Sequence, residues 1–271
     1  MTNTDTEIKS LLDSMEPITL AQMKEIRLMN RLDTKYVTSK AMLVKMLHMV
    51  QEKYYVQENR EHRIIPYCTT YFDTADHVMY MMHHNKRGTR TKVRVRKYLV
   101  TGDIFLEVKN KNNHRRTKKK RIAVPDMDDF RTTEGAHELV SERTGINLDA
   151  LNAVVRNRFD RVTLVNRGKT ERLTIDFNVS FYNFETDMNA DTDQLVVIEL
   201  KRDGNVYSPI INILRDLHIH PTGFSKCCIG MAVTDPNLKQ NNFKPKLRNL
   251  QKINGRQMFS LTPGYHDMAL L

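Results

Sequence analysis

Lys92-Val93-Arg94-Val95-Arg96, with Leu106-Glu107-Val108-Lys109 and Val196-Val197-Ile198-Glu199-Leu200-Lys201 further along, decides how this chain folds. Charged and apolar residues alternate in these stretches, and a β-strand places successive side chains on opposite faces. Lys92, Arg94 and Arg96 therefore share one face and Val93 and Val95 the other. Glu107 and Lys109 lie opposite Leu106 and Val108, while Val197, Glu199 and Lys201 lie opposite Val196, Ile198 and Leu200. A single strand of this kind would turn its charges to water. Several such strands, mostly of one sign, instead suit a barrel whose apolar outside is covered by helices and whose cations line a lumen. Cations converging in a lumen repel one another, and a polyanion removes that penalty.

Working outward, eight segments read as strands: 33–38, 67–73, 91–99, 103–109, 118–124, 154–166, 172–181 and 194–202. They lack a regular strand–helix alternation. The expected fold is thus α+β, an eight-stranded antiparallel β-barrel with flanking helices. Helices are expected at 14–29, 39–50, 74–84 and 205–217. The chain divides into a helical cap over 1–30, the barrel over 31–235 and a loosely held extension over 236–271.

The 271 residues carry 43 Lys and Arg against 32 Asp and Glu, a formal net charge of +11 that points to a polyanionic partner. Cys68, Cys227 and Cys228 form no CxxC pattern, which argues against a disulfide framework or zinc site and fits a reducing cytosol. No apolar run reaches the ~18 residues of a membrane span. Residues 1–14 are polar and acidic, unlike a signal peptide. The histidines, among them His83, His84, His218 and His220, lack the HxxxH spacing of a metal site on a helix. The methionines read as core filler. The basic run 109–121 could track nucleic acid phosphates, but aromatics interleave poorly there, so nucleic acid is not the expected partner.

A carboxylate among phosphate-binding cations is placed to hold Mg²⁺ or Mn²⁺. Glu199 is the first candidate. Glu107 and Asp176 can equally pair with neighbouring cations.

In chain order stand Arg31-Leu32-Asp33-Thr34-Lys35-Tyr36, Thr70-Tyr71-Phe72-Asp73-Thr74, the Lys92–Arg96 strand, Glu107-Val108-Lys109, Lys119-Lys120-Arg121, Arg172-Leu173-Thr174-Ile175-Asp176, Ile198-Glu199-Leu200-Lys201 and Phe224-Ser225-Lys226. This ordered series resembles the VTC (vacuolar transporter chaperone) polyphosphate polymerase domain of the triphosphate tunnel metalloenzyme, or CYTH, superfamily. The resemblance implies an enzyme that transfers the ATP γ-phosphate to a growing polyphosphate chain. It implies catalytic roles for Lys35, Arg94, Arg96, Lys109, Arg161, Arg172, Glu199 and Lys226. Lys35, Arg94, Arg96, Lys109, Lys119, Arg121, Arg161, Arg172, Lys201 and Lys226 would bind phosphate, and Glu199 would hold the Mn²⁺ or Mg²⁺. ATP and polyphosphate are the implied partners of a cytoplasmic protein, with room for a membrane-protein partner. Arg31, Asp33 and Lys35 replace the ExExK glutamates of related hydrolases and cyclases, which favours the polymerase branch. Phe159 stands where a tyrosine commonly precedes Arg161. A triphosphate hydrolase, a nucleotidyl cyclase and a non-enzymatic polyphosphate or inositol phosphate sensor are the alternative readings.

Overall fold

The computed structural model describes residues 2–24, 26, 31–113, 117–204, 206–254 and 260–264. Helix α1 (Asn3–Ser14) precedes β1 (Pro17–Thr19), α2 (Leu20–Lys24), β2 (Arg31–Ser39), α3 (Lys40–Val50), β3 (Tyr54–Glu58), β4 (Ile65–Asp73) and α4 (Val78–His84). There follow β5 (Arg90–Tyr98), β6 (Ile104–Lys111), β7 (Thr117–Ala123), α5 (Ala136–Thr144), β8 (Asn152–Asn166) and β9 (Glu171–Asn183). The remainder is β10 (Met188–Thr192), β11 (Leu195–Asp203), α6 (Pro209–Asp216), α7 (Lys226–Thr234), α8 (Lys244–Asn254) and β12 (Ser260–Pro263).

All eight expected strands are present. They pair antiparallel in the order β7-β6-β5-β4-β8-β9-β11-β2. The ladder curls into a half-barrel, with β7 and β2 as its two margins. β8 and β9 are long enough to serve more than one neighbour. Beyond β4, β8 also pairs with the short strand β3, while β9 pairs first with β11 and then with β10.

The apolar faces decide which way the sheet curls. Val93, Val95, Leu106 and Val108 are fully buried and pack with Leu139 and Val140 of α5 on the convex side. Leu173, Ile175, Ile198 and Leu200 lie in one core with Leu43 and Leu47 of α3, Ile213 of α6 and Ile8 and Leu12 of α1. Each fully buried side chain of this kind contributes about 1.5–3 kcal/mol, and a register slip of one residue would send the whole set to the opposite face. The charged residues between them must therefore point into the concavity.

One helix enters that concavity. Cys227, Cys228 and Met231 of α7 pack against Tyr71, Phe159 and Phe181, and Ile229 packs with Val37 and Val197. A Cβ on Gly230 would stand 2.5 Å from Phe181 Cδ1 and 3.0 Å from Val155 Cγ2, so only glycine lets α7 seat this closely. α7 thereby fills one end of the concavity with apolar groups and leaves the charged remainder as a lumen.

Several expected helices are corrected. Residues 14–29 do not form one helix: α1 ends at Ser14, and Pro17 to Thr19 run extended beside Val56 to Glu58 of β3. This pairing buries Ile18 and Met23 against Val165. Residues 25 and 27–29 of that expectation lie outside the described residues. The helix at 3–14 carries its own start signal, a capping box between Thr2 and Asp5. The helix expected at 74–84 starts only at Val78, because the Asp73 carboxylate accepts from the Thr74, Met79 and Tyr80 amides and turns the chain there. The helix expected at 205–217 begins at Pro209, with residue 205 outside the described residues. In the extension from 236, Phe243 and Leu250 are buried against the barrel, while 255–259 and 265–271 lie outside the described residues. Among the described residues no helix is long and apolar enough to cross a membrane.

Candidate functional site

Cross-strand register assembles the lumen in rows. Lys92 lies opposite Lys109, which lies opposite Lys119; Arg94 lies opposite Glu107, which lies opposite Arg121. On the far wall Arg161 faces Asp176, Arg172 faces Lys201, and Glu199 faces Lys35. Lys226 comes from the first turn of α7. Every cation singled out from the sequence therefore lies on the concave side or its rim.

Three carboxylates each hold two of these cations. Glu107, fully buried, accepts from Arg94 Nε at 2.7 Å and pairs with Lys119 Nζ at 2.8 Å. Asp176 takes Arg161 in a bidentate pair, Nε at 2.6 Å and Nη2 at 2.7 Å, and also pairs with Lys226. Glu199 pairs with Lys201 and stands 3.7 Å from Lys35 Nζ. Guanidinium forks match carboxylates well, and buried ion pairs persist only with such geometry.

The electrostatics follow from this crowding. Burial opposes the ionisation of Glu107, but Arg94, Arg96 and Lys119 outweigh it and hold the carboxyl at about 2. Burial likewise opposes ionisation of Asp176 and Glu199. Arg161 and Lys226 keep Asp176 well below the usual carboxylate range, and Lys35 and Lys201 do the same for Glu199. The lysines move the other way. Burial, reinforced by Lys35, pushes Lys109 down to about 7 against the pull of Glu199. Burial lowers Lys226 to about 8 despite Asp176. Arg96 is buried, donates to Thr69 Oγ1 at 3.1 Å and is lowered by burial and by Arg94. Arg96, Lys109 and Lys92 enter no ion pair among the described residues, which leaves cations in the lumen that no carboxylate contacts.

Other assigned residues sit at the periphery. Lys119 and Arg121 stand on the margin strand β7, where Lys119 is 42% exposed and Arg121 covers the Phe105 ring at 4.1 Å. Arg172 Nη2 reaches the Met23 carbonyl at 3.4 Å. Lys35 also donates to the Phe224 carbonyl at 3.2 Å, which ties β2 to the chain entering α7.

Sequence reasoning placed Lys92 on the lumen face without assigning it a phosphate role, and missed Tyr71 and Tyr67, which alternation could have found. Lys92 donates to Ser225 Oγ at 2.8 Å. Tyr71 lies opposite Arg94, and burial of its hydroxyl is outweighed by Arg94, Arg96 and Lys92, which lower its pKa. Tyr67 stacks on Phe159 at 5.3 Å, so a tyrosine on the neighbouring strand adjoins the ring that lacks a hydroxyl. Asn157, buried beside Thr69 on the same face, has an amide without a hydrogen-bond partner among the described residues, and nothing in the sequence marks it.

No group of three or more His, Cys, Asp or Glu among the described residues is arranged to hold a metal. Glu199 is one carboxylate between two ammoniums. That donor set fits an ion whose remaining ligands are water and phosphate oxygens, the usual mode of Mg²⁺ at phosphate sites, and does not fit a resident metal cage.

The VTC domain family model matches residues 30–235. Similar solved structures include a candidate adenylate cyclase from Bacillus halodurans, 11% identical, covering 73% of this chain and 96% of that one with a TM-score of 0.49. A candidate adenylyl cyclase from Hippeastrum, described as having a dominant triphosphatase activity, is 11% identical over 74% of this chain and 96% of its own, with a TM-score of 0.45. One from Vibrio parahaemolyticus is 10% identical over 73% and 96%, with a TM-score of 0.43. No curated protein matches the chain.

Proposed function

Because the chain belongs to the VTC domain family, we propose that it is an ATP:polyphosphate phosphotransferase that lengthens a phosphate chain inside the lumen. The observation that carries this reading is the excess of cations over carboxylates on the concave face, with Arg96, Lys109 and Lys92 in no ion pair among the described residues. Phosphoryl transfer needs positioning and charge neutralisation more than a protein nucleophile. Arg94, Arg96, Arg161, Lys109 and Lys226 grip the triphosphate, while Lys35, Lys201 and Arg172 continue the cationic wall. Glu107 holds Arg94, Asp176 holds Arg161 and the Thr69 hydroxyl holds Arg96, so each arginine is already oriented before substrate arrives. A phosphate oxygen of the acceptor attacks the γ-phosphorus, the bond from that phosphorus to the bridging β–γ oxygen breaks, and ADP leaves with that oxygen. When bound at Glu199 alongside the phosphates, Mn²⁺ or Mg²⁺ supplies further neutralisation of their charge.

The test is product analysis of the purified protein with ATP and Mn²⁺ or Mg²⁺ by phosphorus NMR. ADP and polyphosphate are expected. Orthophosphate or a cyclic nucleotide as the sole product would replace the polymerase with a hydrolase or cyclase. Glu199→Gln should lower turnover by roughly a hundredfold or more and leave tripolyphosphate affinity and melting temperature near wild type. Unchanged turnover would remove Glu199 from the mechanism.

A further inference from the structure

Helix α8 lies beyond residue 235, where the family match ends. It carries Lys244, Lys246, Arg248 and Lys252 and no acidic residue. Packing accounts only for its apolar side: Leu250 is buried with Val37, Val197 and Phe224, and Leu247 and Ile253 adjoin the same cluster. The basic side does nothing for the core.

Lys246 is drawn inward all the same. Its Nζ stands 3.3 Å from the position a Cβ on Gly223 would take. The half-buried ammonium is lowered by burial, which outweighs the opposing pull of the Cys228 thiol, and further by Arg90, Lys86 and Lys35. Between Lys246 and the lumen runs one strand of chain. Thr222 donates its amide to the Lys35 carbonyl at 2.7 Å, and the Phe224 carbonyl accepts from Lys35 Nζ at 3.2 Å. Gly223, lying between them, has no side chain to block the crossing. On the outer side opens a cleft whose polar lining includes His218, His220, Thr222, Lys246, Asn249 and Lys252, set among apolar residues such as Met42, Leu217 and Ile253, with no acidic residue among the described residues that line it.

We propose that this cleft is the path along which an extended polyphosphate chain continues outside the lumen, crossing at Lys246 and running on past Lys252. The proposal rests on the reading of the lumen as a triphosphate site. Arg90, Lys86 and Lys35 all oppose the charge on Lys246, and an anion beside it would relieve that repulsion. A linear polyphosphate carries charge at every unit and has no bases to seat, which suits a lining without Tyr, Phe or Trp. A triphosphate is held within the lumen, whereas a chain of tens of phosphates reaches both sites.

The experiment compares affinities of the full chain for tripolyphosphate and for a long-chain polyphosphate. In the double variant Lys246→Ala/Lys252→Ala, long-chain affinity should fall about tenfold and its salt dependence should become shallower, as expected when phosphate-neutralising cations are lost. Tripolyphosphate affinity should change by less than about threefold, as suits charges outside its site. Lys244→Ala/Arg248→Ala removes the same charge from the same helix outside the cleft lining and should retain long-chain affinity. Unchanged long-chain affinity in the first variant, equal loss for both ligands, or equal loss in the second variant would each overturn the proposal. A wild-type protein that binds neither ligand would instead refute the lumen reading and take this inference with it. One that binds tripolyphosphate and long chains equally well would refute only the path.

Discussion

Lys109 lies between Lys92 and Lys119 in its cross-strand row, and burial with Lys35 sets its ammonium at about 7. A bound polyphosphate favours the charged form and raises that value. Triphosphate affinity should therefore be highest below about pH 7 and fall as pH climbs from there towards the bound-state value, with proton uptake on binding inside that window. Calorimetry in buffers of different ionisation enthalpy measures the uptake directly. The sign for stability is opposite. The folded value lies below the unfolded one of 10.5, so the unfolded chain binds more protons between about pH 7 and that value, and Lys109 adds stability as pH rises through the interval. Lys226 and Lys201 contribute in the same sense. Lys109→Met should raise the melting temperature at pH 7, where about 2–4 °C corresponds to about 1 kcal/mol in a domain of this size, and should weaken and flatten the pH-dependent binding. A lower melting temperature with an unchanged pH profile would show that Lys109 is not the strained cation.

At the scale of elements, α7 links packing to charge. Its seat on Val155 and Phe181 requires Gly230, and its first residue delivers Lys226 to Asp176. Phe181 is itself fully buried and has nowhere to retreat. Gly230→Ala should cost about 1–3 kcal/mol by overpacking and should weaken tripolyphosphate binding as Lys226 is displaced; Phe181→Leu in the same chain should restore part of both. A variant with wild-type melting and binding would show that α7 is not seated this way. The strands were legible because alternation has one meaning at each position. α7 was not: Cys227 to Ala232 are all buried, so no polar face breaks the run into a helical period. The segment 14–29 failed for the complementary reason. Met23 and Ile26 have helical spacing, yet the chain gains more by pairing Pro17–Thr19 with β3 than by one continuous helix.

The whole molecule carries a surplus of eleven positive charges, part of it enclosed where solvent screens it least. Tripolyphosphate should therefore raise the melting temperature, equivalent to about 2.7 kcal/mol at a hundred times its dissociation constant, and the gain should shrink with salt. Arg96→Ala should lower the affinity by about tenfold or more, the loss of a charge-assisted contact, without the loss of folding expected from breaking the Arg161–Asp176 pair. Tight binding by that variant would exclude Arg96 from the site. Sequence by itself determined the eight strands, the face each charge takes and the likeness to a phosphate-handling family, since strand periodicity and charge are local properties. It also placed Glu107, Asp176 and Glu199 among the cations. Only the tertiary structure decided which cations those carboxylates hold and which they leave open. Lys226 meets Asp176 because α7 enters the concavity, Lys35 meets Glu199 because β2 lies beside β11, and Lys246 reaches the lumen's edge because α8 docks through Leu250. Alternation fixes the side of a sheet on which a charge lies. The curl of the sheet and the seating of the helices set the distances between charges, and on those distances the electrostatic energies depend.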